Sequence, residues 1–507
     1  MRIATLATIL LGVSLLTTGL LAQKQGAALG NFQAAFARDQ KTYQTLEEKQ
    51  RTLKALGAFD SARVTRALVE AYATLEREVT PYAEKRRKLL PRSKSSVTYP
   101  LREKLQPIRN LQDEILEALS AQRSDDSLAA MVRLLLRSRK NLPLTLQIAL
   151  ANRASEQGEK DLDTLPTLAD KKKLPDEEML VLLRLFARLG TRAQGSGPWI
   201  LARLASRNAD VRAEAILALA ALRWPGSIEP LVARLPVEEG RLRDLVADTL
   251  ARFTGQDLGP NEKSWRGWLQ EEGVPYLRGW KELGTELPKK KRKVEGTGTY
   301  FDIPQDGTSI LYVFDISLSM RNPMKRQRQA GDSASSPGKE RRFDRLLREL
   351  HAALDGLTPN KQFGLLGFAN RLYRFSDGQL PATPKNIAKA KAWLAGLELE
   401  LQTNIYDALD LAFYSAGRGS SDRYYPLTVD TIFFLSDGAP TRPKTTTKGR
   451  ARGLGQDVPD EILSAVRRWN PLRRIRIHTI GLGIRGPRAN GLLRGLAEQN
   501  GGTYVRR

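Results

Sequence analysis

The chain of 507 residues contains no cysteine. That absence excludes disulfide stapling, thiolate zinc sites, cysteine nucleophiles and a lipid anchor built on a modified cysteine. Histidine is almost as scarce. His351 and His478 are the only two, and neither stands in a recognisable acid–base setting, so both are read as structural. A Ser-His-Asp arrangement therefore has no credible base. No GxxxxGKS/T phosphate loop occurs either. After the N-terminus there is no second apolar run of bilayer-spanning length.

What is abundant is positive charge. Lys and Arg number 81 against 56 Asp and Glu, a formal net charge of +25. Such a surplus attracts polyanions, anionic lipid and acidic protein surfaces, and by itself names none of them. No zinc knuckle, RNP-like aromatic motif or helix-turn-helix signature points to specific nucleic-acid readout. Hydrophobic residues make up 41% and charged residues 27% of the chain, values of folded protein. The length predicts two or three domains.

The opening "MRIATLATILLGVSLLTTGLLAQ" carries one basic residue followed by an uncharged apolar run, which reads as an export signal over residues 1–22. Retained, it would serve as an N-terminal membrane anchor. Either way the rest of the chain is expected outside the cytoplasm, in the periplasm or at the cell surface. "PKKKRKV" at 288–294 matches a short nuclear import signal, but after an export signal and between two folded segments it reads as a basic linker, 285–307.

Residues 31–125 show helical periodicity and high charge, with Leu46, Leu53, Leu56 and Phe59 at three- and four-residue steps. Pro81, Pro91 and Pro100 are expected to break this run into an antiparallel hairpin or bundle. Residues 127–284 are helical and repetitive. Aligning Val211 with Leu242 also pairs Ala215 with Val246, Leu219 with Leu250 and Leu222 with Phe253, an offset of 31 residues. That is near the period of two-helix solenoids, which present an extended face to partners. The D-V-R opening and small residues along the first helix resemble HEAT repeats. Trp265 and Trp268 are expected to pack in an element that caps the solenoid.

From Thr308 onward apolar strands alternate with amphipathic helices: "SILYVFDIS", "QFGLLGFA", "TVDTIFFLSDG", "RIRIHTIGLG" and "GTYV" read as strands. The alternation predicts a doubly wound, mostly parallel, Rossmann-like α/β sheet over 308–507, following the all-α region. Ligands of such sheets bind beyond the carboxyl ends of the strands, where Asp315 and Asp437 fall. Asp315, Ser317 and Ser319 alternate along one loop in "DISLS", Thr403 precedes a helix in "QTNIYDAL", and Asp437 stands in "LSDGAPT". Two carboxylates and three hydroxyls, with neither sulfur nor imidazole, suit a hard cation such as Mg²⁺ or Mn²⁺.

These five residues, in this order and on these elements, resemble the metal-ion-dependent adhesion site (MIDAS) of von Willebrand factor A (vWA) domains. The tail "IHTIGLG…LLRGLAEQNGGTYV" is similar to the closing strand, helix and strand of that family. The resemblance implies that Asp315, Ser317, Ser319, Thr403 and Asp437 hold the metal, the hydroxyls directly and the aspartates partly through water. It also implies a partner protein that completes the metal shell with an Asp or Glu carboxylate. The chain departs from the family in a longer basic loop, "RNPMKRQRQAGDSASSPGKERRF", and "TRPKTTTKGRARGLGQD" is basic as well. Arg326, Arg328 and Lys448 are therefore expected to form a rim that favours an acidic partner surface.

Three functions are weighed. The first is a non-enzymatic, exported interaction or scaffold protein, with the helical repeats as a second interaction surface. The second is an electrostatic binder of an acidic polymer or anionic surface. The third, a metal-dependent phosphoryl hydrolase, is disfavoured because Ser317 stands where a haloacid-dehalogenase-like pattern needs a second acid.

Overall fold

A computed structural model describes residues 21–37, 45–91, 93–137, 142–156, 165–172, 174–286, 298–324, 340–416, 428–438, 440–445, 451–456, 459–484 and 486–507. Residues 1–20 of the export run and 287–297 of the basic linker therefore lie outside the described residues, while 298–307 of that linker are described. Among those residues no helix is long and apolar enough to cross a membrane. The chain divides into two compact units, one of residues 1–82 and 103–193, the other of 83–102 and 194–507.

The first unit is helical where described. Helix Leu46–Gly57 buries Leu53 and Leu56, one stripe of the periodicity seen in the sequence. Helices α1 (Ala62–Leu89) and α2 (Ser95–Ala121) follow, tied within this unit by Arg109 donating to Glu76 at 2.6 Å and Gln112 donating to Glu76 at 2.9 Å. Pro81 and Pro100 do not interrupt them. α1 runs through Pro81 and α2 through Pro100, and of the three expected breaks Pro91 alone lies between helices. A mid-helix proline forfeits a hydrogen bond and costs about 3 kcal/mol. Here burial of Leu75 and Val79 on one helix and Leu105 and Ile108 on the other offsets that cost.

In the second unit the helices Ala209–Leu222 and Gly240–Thr254 bury the residues aligned by the offset: Ala215, Leu219 and Leu222 on the first, Val246, Leu250 and Phe253 on the second. Asn208 caps the first helix by accepting from the Asp210 N–H (2.9 Å). Trp265 and Trp268 meet edge to face at 5.8 Å between centroids, and the Trp265 indole donates to the Gly259 carbonyl at 2.8 Å.

The α/β part of this unit begins with a small hairpin, β1 (Thr299–Tyr300) and β2 (Ile303–Pro304). The sheet strands are β3 (Ser309–Asp315), β4 (Gln362–Phe368), β5 (Leu372–Arg374), β6 (Leu380–Pro381), β7 (Thr431–Ser436), β10 (Arg476–Gly481) and β11 (Tyr504–Arg506). A separate antiparallel pair is formed by β8 (Thr441–Thr445) and β9 (Ala451–Gln456). The sheet order is β11-β10-β7-β3-β4-β5, with β6 also on β4. Its five central and C-terminal strands are parallel, while β5 and β6 add antiparallel edges to β4.

Alternate residues of β3 feed two cores on opposite faces of the sheet. Leu311 and Val313 pack with residues of α5 (Ile405–Ser415), α6 (Pro459–Trp469) and α7 (Pro487–Gln499). Ile310, Tyr312 and Phe314 pack with α3 (Arg342–Asp355) and α4 (Pro384–Ala395). The period of two in the pleated strand thus serves both helix layers. Leu90, between α1 and α2, belongs to the first of these cores.

The same hairpin tip brings charge inside. Arg86 is buried and forms ion pairs with Asp407 and Asp410 of α5, and Arg87 adds a longer contact to Asp410 at 3.3 Å. Burial alone would depress the Arg86 guanidinium, but Asp407 and Asp410 hold it above its ordinary range. Arg102 lies over the Tyr406 ring at 3.6 Å and donates to Glu461 at 2.8 Å.

Candidate metal centre

β3 and β7 are neighbours in register, Phe314 beside Leu435, and both chains leave the sheet at the same end. The strand following β3 lies on its other side, so the gap between β3 and β7 is a switch point of the topology. Asp315 closes β3 and Ser436 closes β7, with Asp437 immediately after.

Asp315 is wholly buried. One carboxylate oxygen accepts from the Ser317 N–H at 2.8 Å, a local turn that aspartate favours, and the other accepts from the Ser436 hydroxyl at 2.7 Å. The Ser317 and Ser319 hydroxyls lie 2.8 Å apart, and Ser319 donates to Asp437 at 2.7 Å. A short 3₁₀ turn, Leu318–Arg321, holds this geometry, pinned by the buried Met320. Burial, and then the nearby Asp437 charge, push the Asp315 carboxyl up to about 7, although the hydrogen bonds from Ser317 and Ser436 pull the other way.

Thr403 reaches the same region through backbone pairing on two sides. Its N–H donates to the Thr441 hydroxyl (2.8 Å) and its carbonyl accepts from the Thr441 N–H (2.9 Å), four residues beyond Asp437. Just upstream, Glu400 brackets the loop after β3: its N–H donates to the Ile316 carbonyl (2.9 Å) and its carbonyl accepts from the Leu318 N–H (2.7 Å). Gln402, between them, adopts a left-handed φ of 74°, an uncommon conformation that turns the chain into the helix cap at Asn404.

The structure thus joins Asp315, Ser317, Ser319 and Asp437 through one continuous set of hydrogen bonds and brings the Thr403 segment alongside. Arg326, Arg328 and Lys448 lie outside the described residues. The donor set fits a hard divalent cation: the Asp315 carboxyl, whose ionisation burial and the Asp437 charge oppose, is relieved by a dication, and hydroxyls complete an oxygen shell. Among the described residues no group of three or more His, Cys, Asp or Glu side chains could hold a metal ion, and the candidate site itself has two carboxylates with hydroxyls. His351 and His478 take no part. His478 sits in β10 stacked on Phe433 at 4.9 Å between centroids and accepts from the Thr503 N–H at 3.0 Å.

Sequence reasoning missed two residues here. Ser436 precedes Asp437 in the very stretch that was singled out, and its place at the end of an all-buried strand was the available signal. Arg342 donates to the second oxygen of Asp437 at 2.7 Å, and nothing local in "KERRFDR" distinguishes it from its neighbours.

No family model matches the chain. It is distantly similar to inter-alpha-trypsin inhibitor heavy chain H4 from Homo sapiens, 29% identical over 119 residues, and to the Bos taurus protein of the same name, 30% identical over 93 residues. These stretches are 23% and 18% of this chain, and they span only 13% and 10% of those relatives. Among solved structures, an aerotolerance-related membrane protein from Bacteroides fragilis matches at 18% identity over 40% of this chain and 92% of its own, with a TM-score of 0.26. The PilB minor pilin from Streptococcus sanguinis matches at 17% identity over 45% of this chain and 60% of its own, with a TM-score of 0.29.

Proposed function

We propose that this chain is a non-enzymatic, exported interaction or scaffold protein. Its α/β part is of the vWA type and grips an acidic side chain of a partner protein through a divalent cation. One observation carries the reading: Asp315, Ser317, Ser319 and Asp437 converge in one hydrogen-bonded set at the switch point between β3 and β7. The distant likeness to heavy chains of a trypsin inhibitor favours a protein partner over a small substrate.

Asp315, Ser317, Ser319, Thr403 and Asp437 would hold Mg²⁺ or Mn²⁺. The ion would supply a Lewis-acidic position for the partner's carboxylate, while neutral hydroxyls leave it electrophilic. Burial of Asp315 keeps bulk water from competing with that contact, and the turn at Met320 fixes the hydroxyls. The helical repeats of 127–284, HEAT-like in period, would offer a second surface. The basic rim of Arg326, Arg328 and Lys448 would steer acidic partners, and reversing those charges to Glu would weaken binding and flatten its salt dependence.

Calorimetric titration of the full chain with Mg²⁺, beside D315A and D437A, tests the reading. Binding abolished by both substitutions supports it and licenses a pull-down with and without chelator. Absence of binding at millimolar Mg²⁺ by the unsubstituted protein, both alone and with an acidic peptide supplied, overturns the metal-dependent mode.

A further inference from the structure

Arg342 opens helix α3 and sends its side chain inward rather than to solvent. The Arg342 side chain is 10% exposed and the Asp437 side chain it contacts is 0% exposed. One guanidinium N–H donates to the Asp437 oxygen that Ser319 does not use, at 2.7 Å. The fold reserves room for this arrangement. Gly483, at a left-handed φ of 66°, lies so close that a Cβ there would sit 2.6 Å from the Arg342 Nε. That Nε is buried and has no hydrogen-bond partner among the described residues. The guanidinium is thus held near the carboxylate mainly by charge, and it does not use its full set of donors.

Two acidic groups meet at this site, Asp315 and Asp437, and Arg342 already balances one of them. We propose that Arg342 is a resident counter-ion of the metal centre, which keeps Asp437 paired in the metal-free protein and weakens divalent-cation binding through its fixed charge. The inference rests on the metal-binding reading above. Its physical basis is direct. A dication bound to Asp437 must share that carboxylate with a monocation on the other oxygen, in a buried setting where like charges repel more strongly than in water. The same repulsion leaves the bound metal less neutralised by the protein, and so more receptive to a carboxylate from outside. Arg342 would make occupancy conditional on the partner, with metal and acidic side chain binding together.

The test is calorimetric titration of the full chain with Mg²⁺, comparing the unsubstituted protein with R342Q, R342K and D315A. The expected result is that R342Q binds Mg²⁺ about tenfold more tightly or better, whereas R342K, which keeps a positive charge in the same pocket, stays within about threefold. In the metal-free state R342Q should melt below the unsubstituted protein, and Mg²⁺ should raise its melting temperature by more. R342M replaces R342Q if circular dichroism shows that the glutamine variant does not fold. Unsubstituted protein and R342Q that bind Mg²⁺ equally, both sensitive to D315A, would overturn the role of Arg342 and leave the metal centre standing. Tightening in R342K as large as in R342Q would also overturn it, because lost packing and not lost charge would then be the cause. Failure of every form to bind Mg²⁺, with or without an acidic peptide supplied, would overturn both.

Discussion

The hydroxyl of Thr98 donates to the carboxylate of Asp407 at 2.6 Å, across 309 positions of sequence. Asp407 lies one turn beyond Thr403, and its other oxygen is taken by Arg86. The tip of the α1–α2 hairpin is therefore part of the support beneath one edge of the candidate metal centre. R86M would leave Asp407 and Asp410 buried without their main cation and should cost about 3–5 kcal/mol. T98V removes one hydrogen bond to a charged group and should cost about 1.5–3 kcal/mol. Urea unfolding followed by circular dichroism distinguishes them, and an R86M protein as stable as the parent would mean that the tip is not docked in solution.

Asp315 carries a pH signature. Its carboxyl is pushed up to about 7 in the folded protein, against an ordinary value of 3.8. Between those values the folded chain keeps a proton that the unfolded chain has lost. Stability of the metal-free protein therefore falls as pH rises through that window, and levels off above it. Mg²⁺ competes with the same proton, so its affinity should rise with pH and flatten above about 7. Melting and calorimetry between about pH 5 and about pH 8 check both trends. D315N should remove the stability slope belonging to this group.

Ser436 supports Asp315 from the end of β7, donating to its carboxylate at 2.7 Å. S436A deletes one hydrogen bond to the ionised carboxylate, worth about 1.5–3 kcal/mol. Mg²⁺ affinity near neutral pH should drop by roughly ten- to a hundredfold, and the pH midpoint of binding should move upward. Unchanged affinity would show that Ser436 does not hold Asp315 in its ionised form.

The paired tryptophans should respond unequally. W265A removes a fully buried ring and its bond to Gly259, at a cost of about 3–5 kcal/mol. Trp268 has no hydrogen-bond partner for its indole N–H among the described residues. W268F should therefore cost less than about 1.5 kcal/mol. Chemical denaturation of the two variants measures the contrast.

Much of this architecture was readable from local pattern. Strands such as "SILYVFD" and "TIFFLS" are buried on both faces, and continuous apolar runs advertise that; D-x-S-x-S then reads on as the loop that leaves the strand at its carboxyl end. What escaped was of two kinds. The edge strands β5 and β6 are three and two residues long, too short for any period to register, and α4 carries "KNIAKAKAWLA", whose lysines mask its core-facing Ala390 and Leu394. The other kind was choice of partner. Arg342, Arg86 and Thr98 look like ordinary residues of charged helices, and only the tertiary structure assigns Asp437, Asp407 and Asp410 to them. Pro81 and Pro100 misled in the opposite sense, because neighbouring apolar contacts outweighed a strong local breaker.

Leu90 and Arg86 enter the interior of the α/β sheet region from a segment more than two hundred positions upstream. The C-terminal half is consequently not a cassette. Cut at 298 it would expose Asp407 and Asp410 to solvent and lose a core side chain, and during synthesis the hairpin tip, made first, waits for helix α5. Any transplant of this candidate metal centre into another chain would have to carry residues 83–102 along with it.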